Sequence, residues 1–211
     1  MGGSFARIRP PDGGTADPIA TSGLAILDAD AGTPASCQLP VTLGSGTPTV
    51  YALNTSPDGN TVYVGGNFSA IGGVYRSRVA TIDVGTCTVK PLALAPSSFV
   101  YALASTADTL YLAGSFTAIG NQTRQRAAAV NGQTGALLPW TANTDAAARA
   151  IAVSPGRNRV VLGGAFSSVN GESSLGLAVV ESSTGANVRT YPNLVEQQSV
   201  TRFIAVDDPV T

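Results

Sequence analysis

Histidine is absent from the 211 residues, and that absence removes several chemistries at once. A Ser-His-Asp triad, a Cys-His pair and a His-ligated zinc centre all need an imidazole. Acid–base work would fall to the thirteen carboxylates, the tyrosines, the arginines or a lysine. Lysine is nearly missing too: of the twelve basic residues, only Lys90 is not arginine. Charged residues make up 12% of the chain and the net charge is −1, so there is no basic stripe to displace the counterions of a nucleic acid. No apolar run approaches the ~18 residues of a membrane-spanning helix. No charged segment followed by an apolar one marks a leader at the start. Helical patterning is also lacking, since no stretch sustains a 3.6-residue apolar period between capping residues. What remains is 44% hydrophobic, enough for a substantial core, and otherwise rich in Gly, Ser, Thr and Asn. Such a neutral, hydroxyl-rich composition fits an extracellular or cell-surface protein better than a cytosolic enzyme.

The chain repeats itself. VYVGGNFSAIG (62–72) recurs as LYLAGSFTAIG (110–120) and as VVLGGAFSSVNG (160–171), and the chain opens with MGGSFARI. Phe68, Phe116 and Phe166 are spaced by 48 and 50 residues. Phe5 precedes Phe68 by 63, which predicts an insertion in the first unit around residues 9–22. Before each glycine pair lies another apolar run: VYALNTSP (50–57), VYALAST (100–106), ARAIAVSP (148–155) and TRFIAVDD (201–208). After each Phe comes a short apolar strand and a polar turn, as in VATIDVGT (79–86), AAAVNGQTG (127–135) and LAVVESSTG (177–185). A weaker extended piece closes each unit.

Four short antiparallel strands in about 50 residues, repeated, predict an all-β fold, a β-propeller of four-stranded blades. The units are 47–96, 97–145 and 146–196, preceded by an incomplete blade with its insertion (1–46) and followed by one further first strand (197–211). Two outcomes follow from these ends. The last strand completes the first blade and closes a small ring, or the chain is a piece of a larger propeller. The missing apolar run before Gly2-Gly3 favours the piece.

Several repeated residues then read as structure. Gly65-Gly66, Gly114 and Gly163-Gly164 sit where a strand covered on both sides needs close backbone approach or a bulge. Phe68, Phe116 and Phe166 fill the space between blades. A phosphate cradle would need a helix N-terminus after the glycines, and none is predicted. Arg76 and Arg78 match Arg124 and Arg126, where the third unit has Ser174 and Gly176; they pair with backbone or carboxylates at blade edges or form an anion-binding rim. Asp28 and Asp30 resemble the start of a calcium loop, but no bidentate Glu follows, so an Asp turn is expected and no metal site. Cys37 and Cys87 occupy nearly corresponding places in successive units. A bridge needs Cα atoms ~4.4–6.8 Å apart, whereas outer strands of neighbouring blades diverge, so the pairing stays open; if made, it points to an oxidising compartment.

The candidate binding residues are Tyr51, Tyr101, Arg149 and Arg202. They share one register near the start of each innermost strand, which in a propeller surrounds one mouth of the channel.

The repeat, with SPDG, VYVGG-x-F-x-x-I-x-G, R-x-R-x-A and [DN]-x-x-T-G in order, resembles the delta-sixty type propeller repeats of bacterial surface and secreted proteins. Residues 50–195 carry three copies. The resemblance implies a β-propeller within a longer protein and supplies no catalytic residues. VYVGG is also similar to kelch repeats, though the Tyr and Trp of that pattern are missing. AAVNGQTGALLPW, ending at Trp140, resembles the tryptophan-docking motif of quinoprotein dehydrogenases, which implies that Trp140 packs on the next blade. The expectation is a non-catalytic scaffold that binds protein or carbohydrate without a cofactor. The alternative is a propeller enzyme, quinoprotein-like or a carboxylate-dependent glycan hydrolase or lyase.

Overall fold

The computed structural model describes residues 1–8, 19–28, 30–92, 94–154 and 156–193. All regular structure among them is antiparallel β, with no helix. The chain forms two compact units, Met1–Ala95 and Pro96–Thr211, divided at the boundary between two sequence repeats.

Each repeat begins with three paired strands. In the first unit these are Thr49–Thr55, Thr61–Asn67 and Val79–Asp83, closed by a fourth, Thr88–Val89. In the second unit, Val100–Ser105, Thr109–Gly114 and Ala127–Asn131 form one sheet. The other sheet is Ala148–Val153, Arg159–Gly164, Leu177–Glu181 and Asn187–Thr190. The fourth strand of the 97–145 repeat is reduced to one bridge, Val130 to Leu137. Central strands are buried on both faces, which is why they read as continuous apolar runs: Leu110, Leu112 and Val130 are as buried as Tyr111, Ala113 and Ala129.

The sequence reading missed a second, smaller hairpin in every repeat. It lies between the second and third strands, at Ala70–Ile71 with Val74–Tyr75, Ala118–Ile119 with Gln122–Thr123, and Ser168–Val169 with Glu172–Ser173. Its tip is a two-residue turn: Gly72 and Gly73, or Asn170 and Gly171, carry positive φ at both positions (56° and 78°; 50° and 82°). Asn-Gly and Gly-Gly are the residues such a turn selects. The hairpin then receives the connecting segment from the repeat before: Val41 pairs with Ile71, Pro96 with Ile119, and Thr144 with Val169. In the first repeat, Arg7–Ile8 pairs with Ile19–Ala20, so the expected insertion falls between the arms of this same hairpin.

A backbone clamp recurs where the sequence shows arginine. Arg78, Arg126, Gly176 and Gly23 all adopt positive φ, at 66°, 68°, 72° and 73°. In that conformation each N–H donates to the carbonyl of the repeat phenylalanine, at 3.1 Å for Phe68, 2.8 Å for Phe116, 2.9 Å for Phe166 and 2.8 Å for Phe5. Each carbonyl in turn accepts from the strand-end glycine, at 3.0 Å from Gly66, 2.9 Å from Gly114, 3.0 Å from Gly164 and 2.9 Å from Gly3. Glycine at 176 is the unstrained form of this site; an arginine there carries the left-handed penalty of roughly 1–2 kcal/mol. The side chains of the neighbouring arginines complete the edge through backbone. Arg76 donates to Lys90 O at 2.9 Å, and Arg124 to Leu138 O at 3.0 Å. In the third repeat, Ser174 Oγ accepts from Tyr191 N–H at 2.9 Å instead.

The phenylalanines are core residues. Phe68 packs with Leu24, Val41, Val50, Val64 and Ile82 in the first unit, and Phe166 with Trp140, Tyr111, Leu162 and Val180 in the second. Trp140 is fully buried and docks on the next repeat: its Nε1–H donates to Glu181 O at 2.9 Å, and its ring meets Tyr111 edge-on at 5.5 Å. Beside it, the Thr141 carbonyl lies where a Cβ on Gly185 would be, 2.2 Å away.

Cys37 and Cys87 are bonded, with Cα atoms 5.6 Å apart. Cys37 stands four residues before Val41, as Trp140 stands four before Thr144, and those two residues pair with the same position of the next hairpin. Cys87 stands at the left-handed position of its turn (φ 55°), where the other repeats place Gly32, Gly135 and Gly185. The disulfide therefore fastens in the first unit the seam that Trp140, Thr141 and Gly185 fasten in the second. The outer strands do not diverge there, because the connecting segment crosses onto the next repeat.

Two stability measurements follow. Gly114→Ala puts a Cβ 2.1 Å from Phe99 O, so chemical denaturation should show a loss of about 3 kcal/mol or more, while Gly44→Ala, with nothing within 4 Å, should stay within about 0.5 kcal/mol. Removing the bridge with C37A/C87G opens a loop of 50 residues, for which chain entropy sets a loss of up to ~4 kcal/mol. C37A/C87A should be weaker by about a further 1 kcal/mol, because alanine at positive φ is strained. Equal stability of the two double variants would rule out the conformational role of position 87.

Candidate functional site

The candidate residues share a backbone cause. Val50 pairs with Gly66 and Ala52 with Gly65, leaving Tyr51 as an extra residue in the first strand. Likewise Val100 pairs with Gly114 and Ala102 with Ala113, leaving Tyr101, and Ala148 pairs with Gly164 and Ala150 with Gly163, leaving Arg149. Each innermost strand thus carries one β-bulge, and each bulge extrudes the candidate residue. A bulge breaks the alternation of the strand and re-aims the side chain it adds.

The strand-end glycine fixes the bulge. A Cβ on Gly66, Gly114 or Gly164 would lie 2.2, 2.1 or 2.3 Å from the carbonyl oxygen of Thr49, Phe99 or Ala147. These carbonyls belong to the residue two before the extruded one. Only glycine admits that approach.

In the second unit the structure brings two candidates together. The Arg149 guanidinium lies over the Tyr101 ring, 5.6 Å from its centroid, and Phe99 backs that ring edge-on at 6.2 Å. In the first unit, Tyr51 is 46% exposed and Leu53 39% exposed. With Gly2, Val50 and Ala52 they line an open depression of about 210 Å³. Arg202 lies outside the described residues, as does the TRFIAVDD strand. Gly65, Gly163 and the phenylalanines contribute only to the scaffold.

Asp28, Asp58 and Asp83 hold turns. Asp28 Oδ1 accepts from Asp30 and Ala31 N–H at 3.0 and 2.7 Å, so the calcium-like DADAG is an Asp-closed turn. Asp83 accepts from Thr86 N–H at 2.9 Å, and Asn131 takes the same part in its repeat, accepting from Thr134 N–H at 2.8 Å. This accounts for the [DN]-x-x-T-G element: side-chain oxygen first, left-handed residue last. No cluster of three or more Cys, Asp or Glu residues that could hold a metal occurs among the described residues.

Three carboxyls sit below their ordinary range. The Ser56 hydroxyl and Asn60 hold Asp58 down, and the Thr86 N–H and hydroxyl hold Asp83 down. At Asp145, partial burial pushes the carboxyl up, but the Ser167 hydroxyl and the Ser168 and Ser167 N–H groups outweigh it.

Against known proteins, neither a protein-family model nor a curated protein matches the chain. Solved structures do. The computationally designed Ika4 protein is 20% identical with a TM-score of 0.50, over 77% of this chain and 82% of that one. The RRP9 WD40 repeats are 16% identical with a TM-score of 0.53, over 80% of this chain and 45% of theirs. Hydrazine synthase of Kuenenia stuttgartiensis is 15% identical with a TM-score of 0.53, over 90% of this chain and 49% of that one. The chain thus spans about half the length of the last two. Together with the repeated antiparallel sheets, these likenesses define the fold class: the protein is all-β, a β-propeller.

The depressed carboxyls set the pH dependence of stability. Their unfolded values lie near 4 and their folded values lower, so the unfolded chain binds more protons as the medium is acidified. The stabilisation is complete above pH ~4 and is lost as pH falls through the folded values. With no histidine, thermal unfolding midpoints should be level from about pH 5 to 6.5 and fall below about pH 4; burial holds the Met1 amine below its ordinary value, which adds a slight rise towards pH 8. A step near pH 6 would contradict this assignment.

Proposed function

We propose that the protein is a non-catalytic β-propeller scaffold of a secreted or cell-surface protein, of the delta-sixty repeat type, that binds its ligand through the bulge residues. The observation that carries the reading is the recurrence of one bulge at one register, fixed each time by a glycine that makes no other contribution to the surface. The backbone is the same in each repeat, while the extruded side chain changes from Tyr51 and Tyr101 to Arg149. Tyrosine is the large, polar-tipped, two-torsion side chain that a binding surface presents at low entropic cost, and arginine adds a charged donor fork. The Cys37–Cys87 bridge supports an oxidising compartment.

Carbohydrate is the favoured ligand class, because a half-exposed tyrosine beside an open depression, as at Tyr51, offers a flat amphipathic surface to a sugar ring. The enzyme alternative would need two carboxylates ~5–10 Å apart in a cleft; Asp28, Asp58 and Asp83 instead serve turns, and Asp145 accepts from the Ser167 and Ser168 N–H groups.

A glycan array, with turnover of any captured glycan measured alongside, tests the reading. Binding without hydrolysis, weakened tenfold or more in Y51A/Y101A at unchanged circular dichroism, is the expected result. Undiminished binding by the double variant, or cleavage of the glycan, would sink it.

A further inference from the structure

The arginines of this chain divide by what engages them. Arg76 and Arg124 donate to the carbonyls of Lys90 and Leu138, Arg126 donates to Thr144 O at 2.6 Å, and Arg159 faces Glu181 at 3.9 Å. These guanidiniums complete the scaffold. Arg189 lies over the Tyr191 ring at 5.8 Å instead, and Arg149, the one of these two that stands on a bulge, is held in the same way. Among the described residues no hydrogen bond or ion pair engages its guanidinium; its contact is the face of Tyr101. An aromatic face holds a guanidinium by its quadrupole without using any of the five N–H donors. The side chain is exposed, sits on a bulge that Gly164 makes obligatory, and lies over a ring that Phe99 meets edge-on. The result is a donor fork placed against a ring face and unneutralised.

From this we infer that Arg149 is the subsite for a carboxylate group on an acidic saccharide, with Tyr101 as its positioning residue. The inference rests on the reading of the bulge residues as ligand contacts. A guanidinium fork matches a carboxylate through two parallel hydrogen bonds. The surroundings select a sparsely charged ligand over a polyacid. Charged residues make up only 12% of the chain at a net charge of −1, which gives no positive field to draw a dense anion. The equivalent bulge position in the same unit, 101, is a tyrosine. Next to Phe99 in the chain, the hydroxyls of Ser98 and Ser115 pair at 3.0 Å, so the start of this strand also carries neutral hydroxyl groups. One carboxylate set among hydroxyls and ring faces describes a uronic-acid unit better than an acidic peptide or a phosphate chain.

The test is calorimetric titration of the full chain with oligomers of galacturonate, glucuronate and mannuronate, their methyl esters, and poly-glutamate. One uronate oligomer should bind, with tenfold or greater weakening both in its methyl ester and in R149Q, and with R149K intermediate because it keeps charge without the fork. R149Q should unfold at the wild-type temperature, since the replaced side chain is exposed. Equal binding by R149Q, equal binding of the ester, or poly-glutamate bound with the same dependence on Arg149 would overturn the inference. Neutral glycans bound with sensitivity to Y101A but not to R149Q would remove the acidic subsite and leave the scaffold reading standing. No binding of any saccharide, charged or neutral, would remove both.

Discussion

The approach of one carbonyl oxygen to one glycine organises each repeat. With Thr49, Phe99 or Ala147 O pressed against Gly66, Gly114 or Gly164, the first strand cannot keep regular register with the second, and it takes up the mismatch as a one-residue bulge. The same glycine donates its N–H to the left-handed residue that opens the third strand, and that residue donates to the repeat phenylalanine. Three strands are thereby tied at one point. The phenylalanine is fixed in the core, the small hairpin starts directly after it, and the extruded residue is pushed out of the strand's alternation. Any side chain at the glycine would break all of these together.

Seams between consecutive repeats obey a second constraint, met by two chemistries. A connecting segment must cross from one repeat to the turn of the next and pair with its hairpin. In the second unit it is anchored by the Trp140 indole on Glu181 O and by the Thr141 carbonyl against Gly185. In the first unit, Cys37 occupies the register of Trp140 and Cys87 that of Gly185, and a covalent bond replaces packing. The disulfide tolerates a cysteine in a conformation that favours glycine because the bond holds it there. This is a local exchange of hydrophobic docking for a cross-link, at a repeat that has fewer regular strand pairs to hold it.

Scaffold and binding surface are separated by residue type. Asp28, Asp83 and Asn131 close turns, Arg76, Arg124 and Arg126 satisfy carbonyls, and the repeat phenylalanines and alanines fill the core. The bulge positions lie outside the strand's alternation, so their side chains vary while the backbone stays constant. That separation is what allows Tyr51, Tyr101 and Arg149 to be different residues at one geometrical site.

Much of this was legible in the sequence. The repeat period and paired apolar runs determined an all-β propeller, because strand periodicity and turn residues are local properties that recur visibly. The common register of Tyr51, Tyr101 and Arg149 was legible for the same reason, and Asn170-Gly171 carried a hairpin signal that the reading passed over. Three things only the tertiary structure decided. The bulge depends on which residue faces the glycine across the ladder, and pairing register is not written in either strand alone. The bond between Cys37 and Cys87 depends on the connecting segment crossing to the next repeat, a path the strand pattern does not reveal. The contact of the Arg149 guanidinium with the Tyr101 ring joins residues from successive repeats, 48 positions apart, that packing alone brings together.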